Sequence, residues 1–204
     1  MTMSFKVHYQ HSVFFNRYLD ELEVANVGRT TTTSPAIQQN PSRWRPPDDD
    51  ACVKINVDGA VSRSGRTGAC AAICRDKEGN YIGASAVVFE GLVHAASLEA
   101  QACNEALALA QDLHLSHVIR ASDCMQVVSD INDAAQSSSY ACVIEEIKVR
   151  TLDFVKVSFR FENREANCEA HALAKAASTL PIGRHVWLGT TPDIICIPSD
   201  LVDE

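Results

Sequence analysis

Asp58, Glu99 and Asp123 are the side chains of this 204-residue sequence whose placement suggests chemistry. Asp58 closes the run "VKINVD", in which Val53, Ile55 and Val57 alternate with Lys54, Asn56 and Asp58, the period of two expected of a strand. An acid in strand register is disfavoured by propensity and costly unless its charge is paired or metal-bound. One reading ends an edge strand at Asp58 and makes the residue cap a turn with Gly59 and Ser62. Glu99, in "SLEAQA", falls in the first turn of an expected helix, where the helix dipole favours an acid. Asp123, in "ASDCMQVV", stands between an expected strand and an expected helix, where capping alone would explain it. Singly, each acid has a structural reading. Jointly, acids from three distant segments at one sheet mouth repel unless a cation lies between them. Such a set of oxygen ligands suits a hard divalent metal with room for phosphate oxygens.

The elements that would have to position these acids follow one another from residue 52 onward. Strands are expected at 52–58, 67–75 and 81–89, the last two joined by the hairpin "DKEGN". A helix over 96–113 carries a core stripe of Leu98, Ala102, Ala106, Leu109, Ala110 and Leu113. A strand at 116–122 passes into a helix that starts at Asp123 and turns Cys124, Val127, Val128 and Ile131 inward. A helix over 143–154 has Ile144, Ile147, Thr151 and Phe154 in register, and a strand at 155–161 follows. The last helix, 165–178, buries Ala166, Ala170, Leu173, Ala174 and Ala177. Three strands joined by tight connections predict an antiparallel meander, and two more reached through helices predict parallel additions. The expected fold is α/β: a mixed five-stranded sheet, three antiparallel then two parallel strands, with helices on both faces. In any open α/β sheet the carboxyl ends of the parallel strands are the usual place for chemistry.

Residues 51–180 are expected to form this domain. Residues 1–50 read as a flexible N-terminal segment and linker, with one candidate helix in "HSVFFNRYLDELEVANV" and with Trp44 docked on the domain edge. Residues 181–204 read as a proline-punctuated tail. A hydrophobic content of 46% supports a packed core, while the net charge of −8 and the pI of about 5.3 disfavour nucleic-acid binding by long-range steering. A local groove of Lys and Arg would have to supply it. The eight cysteines form no Cys-x-x-Cys and no zinc spacing, so free buried thiols in a reducing compartment are expected. No signal peptide and no membrane-spanning run is recognisable. The expectation is an intracellular protein, nuclear or cytoplasmic, monomeric and without a membrane partner.

The strings "VKINVDGA", "RDKEGN", "SLEAQACNEALALA", "ASDCMQVV" and "REANCEAHALAKAA" resemble the ribonuclease H family. The nearest likeness is to the plant type found at the end of non-LTR retroelement reverse transcriptases and in stand-alone products. The similarity spans about residues 44–180. It implies the ribonuclease H fold and cleavage of the RNA strand of RNA–DNA hybrids by two Mg²⁺ ions, with Mn²⁺ a possible substitute. The resemblance has Asp58 bridge the metals and puts Glu99 and Asp123 on the leaving-group side. The family's fourth acid corresponds to His171, a variation found in plant-type members. A neutral imidazole there would favour Mn²⁺ over Mg²⁺. A family histidine able to assist proton transfer or product release corresponds to Phe161, which cannot carry a proton. Lys54, Arg63, Arg66, Arg164 and Lys175 are the expected phosphate contacts. A second reading keeps the fold as a retroelement-derived nucleic-acid-binding domain with weakened catalysis. A 3′-exonuclease of the same general fold fits the "REANCEAHALAKAA" pattern less well.

Overall fold

In the computed structural model, which describes residues 44–49, 51–133 and 138–195, the alternating run at Asp58 is an interior strand and not an edge. The strands are β1 (Val53–Val61), β2 (Thr67–Arg75), β3 (Tyr81–Glu90), β4 (His117–Ser122), β5 (Lys156–Phe161) and β6 (Gly183–Leu188). They form one sheet in the order β5-β4-β1-β2-β3-β6. β1, β2 and β3 make the expected antiparallel meander, while β4 pairs parallel with β1 and β5 parallel with β4. The strand through Asp58 runs on to Val61, so the reading of Asp58 as the cap of an edge strand is corrected: β1 is flanked by β2 through Val61 and by β4 as far as Val57.

The sheet has six strands where five were expected. β6 lies within the stretch read as a tail and pairs antiparallel with β3, with Trp187 opposite Ala84. Its exposure alternates, with Val186 and Leu188 facing outward while Trp187 packs inward. Burial of that one ring, together with the ladder, holds a strand whose aliphatic residues face water.

The helices are α1 (Ala95–Asp112), α2 (Met125–Asp133), α3 (Ala141–Thr151) and α4 (Cys168–Ala177), the last preceded by a 3₁₀ turn at Arg164–Asn167. Strand alternation splits the core in two. Ile55, Val57, Cys70, Ala72 and Val118 face α1, α2 and α3. Ala69, Ala71, Ile73 and Ala84 face Leu173, Ala174 and Ala177 of α4. Small residues on both sides of the second interface let α4 lie close to β1 and β2.

Several boundaries differ from expectation. α2 begins at Met125, which leaves Asp123 in the loop with its carboxyl turned to the site. α3 starts at Ala141 and stops three residues short of Phe154. The expected 165–178 helix divides into the 3₁₀ turn and α4. The candidate helix at 11–27 lies outside the described residues. Cys52, Cys70, Cys74 and Cys103 are buried and free, but Cys142 and Cys168 are exposed, because both sit on the outer sides of their helices. No helix among the described residues is long and apolar enough to cross a membrane.

Residues 44–49 form a strap across the part of the sheet face that α4 does not reach. Trp44 docks as expected, its Nε1 donating to Asn56 Oδ1 at 3.2 Å, and Pro47 is buried. Lys156 and Arg160 on β5 hold Asp49 and Asp48, each at 2.5 Å.

Candidate metal centre

The three carboxylates meet. Asp58, Glu99 and Asp123 offer oxygen atoms that all lie within 4.8 Å of one another, at the carboxyl ends of the parallel pair β1 and β4. Asp58 is 3% exposed and comes from β1. Glu99 comes from the second turn of α1, not the first turn expected from the sequence, because the helix starts at Ala95, and Asp123 from the residue after β4.

Each acid is held by a particular local device. Gly59 permits α1 to press against β1: a Cβ there would stand 2.8 Å from Leu98 Cβ and 2.9 Å from the Leu98 carbonyl carbon. The same contact lets the Gly59 N–H donate to Glu99 Oε1 at 3.1 Å. Ser122 Oγ donates to Glu99 Oε2 at 3.2 Å and accepts from the Cys124 N–H at 3.0 Å, so one hydroxyl fixes both Glu99 and the turn that carries Asp123. His94 caps α1, its side chain accepting from the Ser97 N–H.

The electrostatics carry the mark of crowded acids. Burial, then the charges of Asp58 and Asp123, push the Glu99 carboxyl up to about 8. Burial and Asp58 also raise Asp123, against the lowering effect of Arg164 and His171. Among the described residues these three form the cluster of ligand atoms able to hold a metal. Oxygen donors that raise one another's proton affinity are the donors that a hard divalent cation would satisfy. The residues present therefore fit such an ion.

His171 stands beside the carboxylates, one bond removed from them. Its Nδ1 lies 2.9 Å from Asp58 Oδ2 and its Nε2 lies 2.9 Å from Arg164 Nη2. A guanidinium can only donate, so Nε2 is the acceptor and Nδ1 carries the hydrogen that Asp58 accepts. Both ring nitrogens are thereby engaged, and His171 would have to release Asp58 to ligate a metal.

The expected phosphate contacts separate into groups. Arg164 reaches the site through His171, and Lys175 lies one turn beyond His171 on the same side of α4. Arg63 and Arg66 sit in the exposed turn between β1 and β2. Lys54 is corrected: it is 2% exposed, pairs with Glu162 and donates to the Arg45 carbonyl at 2.8 Å. The strap and the end of β5 cover the face on which it stands, so it cannot touch a phosphate. Glu162 also accepts from Asn56 at 3.1 Å, and Asn56 donates to Asn167 Oδ1 at 2.9 Å. Asn167 in turn donates to the Val57 carbonyl at 2.8 Å. This buried polar network ties the 3₁₀ turn to β1 and so sets where α4 presents His171.

Ser122 and Asn167 are positioning residues that the sequence reading did not single out, and Gly59, read there only as a turn residue, is a third. Ser122 carried a signal, since a Ser before a helix start is a capping residue. Asn167 carried none of its own.

A profile of reverse transcriptase-like proteins matches residues 56–177, a span that holds all three acids and His171. The chain belongs to this reverse transcriptase-like family, and its fold is that of ribonuclease H. RNase H1 from the halophilic archaeon Halobacterium salinarum superposes with a TM-score of 0.56 at 19% identity, over 62% of this chain and 96% of that one. The N-terminal RNase H domain of a Mycobacterium tuberculosis protein gives 0.56 at 18% identity, over 62% and 93%. LC11-RNase H1, solved in complex with an RNA/DNA hybrid, gives 0.50 at 18% identity, over 58% and 91%. No curated protein matches the sequence.

Proposed function

We propose that this domain hydrolyses the RNA strand of RNA–DNA hybrids, with divalent metal held by Asp58, Glu99 and Asp123. The observation that carries the reading is the meeting of three carboxylates within 4.8 Å at the carboxyl ends of β1 and β4. A pair of Mg²⁺ or Mn²⁺ ions bound there would supply the Lewis acidity that activates a water and stabilises a leaving 3′-oxygen. The chain's own part is positional. The Gly59 N–H and the Ser122 hydroxyl aim the two Glu99 oxygens, and Arg164 orients the His171 ring that hydrogen-bonds Asp58. Arg164, joined to the site through His171, would counter the phosphate charge of a hybrid together with Lys175, Arg63 and Arg66. A neighbour of the same fold was solved holding an RNA/DNA hybrid, which supports this substrate class. The affinity to the plant type rests on the motif strings, and an intracellular location on the free thiols.

Two features favour a second reading, a nucleic-acid-binding domain with weakened catalysis. His171 stands where the resemblance expects a fourth acid, and Phe161 where it expects a histidine. Cleavage of an end-labelled hybrid in Mg²⁺ and, separately, in Mn²⁺ decides between them. Asp58→Asn is expected to abolish cleavage with an unchanged fold, since the amide is nearly isosteric and still accepts from His171. Activity retained in that variant refutes the assignment of the site. Absence of cleavage by the wild type in both metals, with hybrid binding intact, establishes the second reading.

A further inference from the structure

Arg164 and His171 are carried by one anchored unit. The 3₁₀ turn Arg164–Asn167 runs directly into α4. Asn167, 1% exposed, donates to the Val57 carbonyl at 2.8 Å and accepts from Asn56 at 2.9 Å. That anchoring sets the His171 ring between two unlike partners, with Asp58 Oδ2 at 2.9 Å from Nδ1 and Arg164 Nη2 at 2.9 Å from Nε2. A guanidinium has donors and no acceptor, so its bond to Nε2 exists only while that nitrogen keeps its lone pair. The ring hydrogen is then on Nδ1, where Asp58 accepts it. His171 thus turns an N–H towards the carboxylates and its lone pair away from them. An imidazole can ligate a metal only through a nitrogen that carries no hydrogen.

We infer that Arg164 is a positioning residue that locks His171 in the tautomer with its hydrogen on Nδ1, and so keeps the imidazole out of the coordination of any divalent ion. Ligation through Nδ1 would need the hydrogen moved to Nε2, where it would face a guanidinium N–H. An ion taken up by Asp58 would loosen the bond to Nδ1, but the bond to Nε2 would persist. The outer partner of a ligating histidine is ordinarily an acceptor, which draws the hydrogen away from the ligating nitrogen. Arg164 is the reverse of such a partner. Its charge is felt at Asp123 as well, where it lowers the proton affinity of the carboxyl, and the same charge opposes a cation on the His171 side of the cluster. The inference rests on the metal-dependent reading where an ion is concerned, whereas the tautomer is a property of the metal-free chain. A divalent ion is then offered three carboxylates and no nitrogen.

The test compares the full chain with Arg164→Met, which keeps the length of the side chain and removes its donors. Nitrogen-15 spectra of the histidine rings, without metal, report the tautomer, and the His171 signals are assigned by their loss in His171→Ala. Wild type should show the hydrogen on Nδ1 alone, and Arg164→Met a mixture of both tautomers. Arg164→Lys, which also only donates, should keep the wild-type spectrum. On addition of Co²⁺, a hyperfine-shifted exchangeable imidazole proton should appear in Arg164→Met and not in wild type. Calorimetric titration with Mn²⁺ should show the same variant binding about tenfold more tightly, the lower end of what outer partners of a ligating histidine are worth. His171→Ala in the Arg164→Met background should remove both gains, and thermal unfolding controls for folding. An unchanged tautomer in Arg164→Met overturns the lock, and so does a shifted imidazole proton in wild type; either leaves the metal-dependent reading intact. If the tautomer responds but neither protein binds Mn²⁺ or Co²⁺, the lock on the ring stands and the metal-dependent reading fails.

Discussion

Burial and the charges of Asp58 and Asp123 hold the Glu99 carboxyl at about 8, against an ordinary value of 4.5. The folded chain then keeps a proton there that the unfolded chain releases. Stability contributed by this group is full below about pH 4.5 and is lost as pH rises towards 8. Without metal, the melting temperature of Glu99→Gln should exceed that of wild type by a margin that widens between these limits. A divalent cation should narrow it, and a margin flat with pH would show that the crowding of acids is not felt. His171→Asp should raise the initial rate in Mg²⁺ and reduce any preference for Mn²⁺, because it restores an anionic oxygen ligand. If wild type is fully active in Mg²⁺ and the variant no faster, the imidazole suffices. The three acids were legible because strand alternation and the ends of parallel strands locate them without any side-chain detail. His171 and Phe161 drew notice only through the family likeness. Lys54 was misread since the residues that cover it, Arg45 and Glu162, lie 9 and 108 positions away, and no local pattern reports such burial.

At the level of elements, the contact between Gly59 on β1 and the start of α1 sets the width of the site. Gly59→Ala places a methyl group 2.8 Å from Leu98 Cβ, so α1 must withdraw and take Glu99 with it. The expected loss is about 1–3 kcal/mol of stability, the usual cost of overpacking, with weaker Mn²⁺ binding. Chemical denaturation and calorimetric metal titration measure the two effects, and wild-type values in both would mean that the interface yields freely. The meander, α1 and the parallel strands were legible because their apolar periods are regular. β6 was not: its Val186 and Leu188 point to water while His185 and Trp187 turn inward, which reverses the pattern a strand search looks for. Nor was the continuation of β1 through Gly59 and Ala60, since a glycine after an acid reads as a turn.

On the scale of the whole molecule, the strap at 44–49 does the work of a missing helix on one half of a sheet face. Deleting residues 1–40, whose composition offers no long apolar face, should leave the melting temperature unchanged. Deleting 1–50 should lower it by several degrees, since Trp44, buried Pro47 and the Asp48 and Asp49 ion pairs are lost together. Equal stability of both truncations would show the strap to be dispensable. The wiring of the sheet also governs when the site comes into being. Hairpins such as β1–β2 and β2–β3 close quickly, whereas parallel pairings between distant segments are slow. Asp58 belongs to the fast meander, but its partner His171 lies 113 residues further along the chain, on the helix that packs last in sequence. A nascent chain that has emerged only as far as β5 can carry all three acids and still lack the helix against which Asp58 is set. The three acids would therefore be synthesised well before the site is assembled, which waits until α4 has emerged and packed against β1.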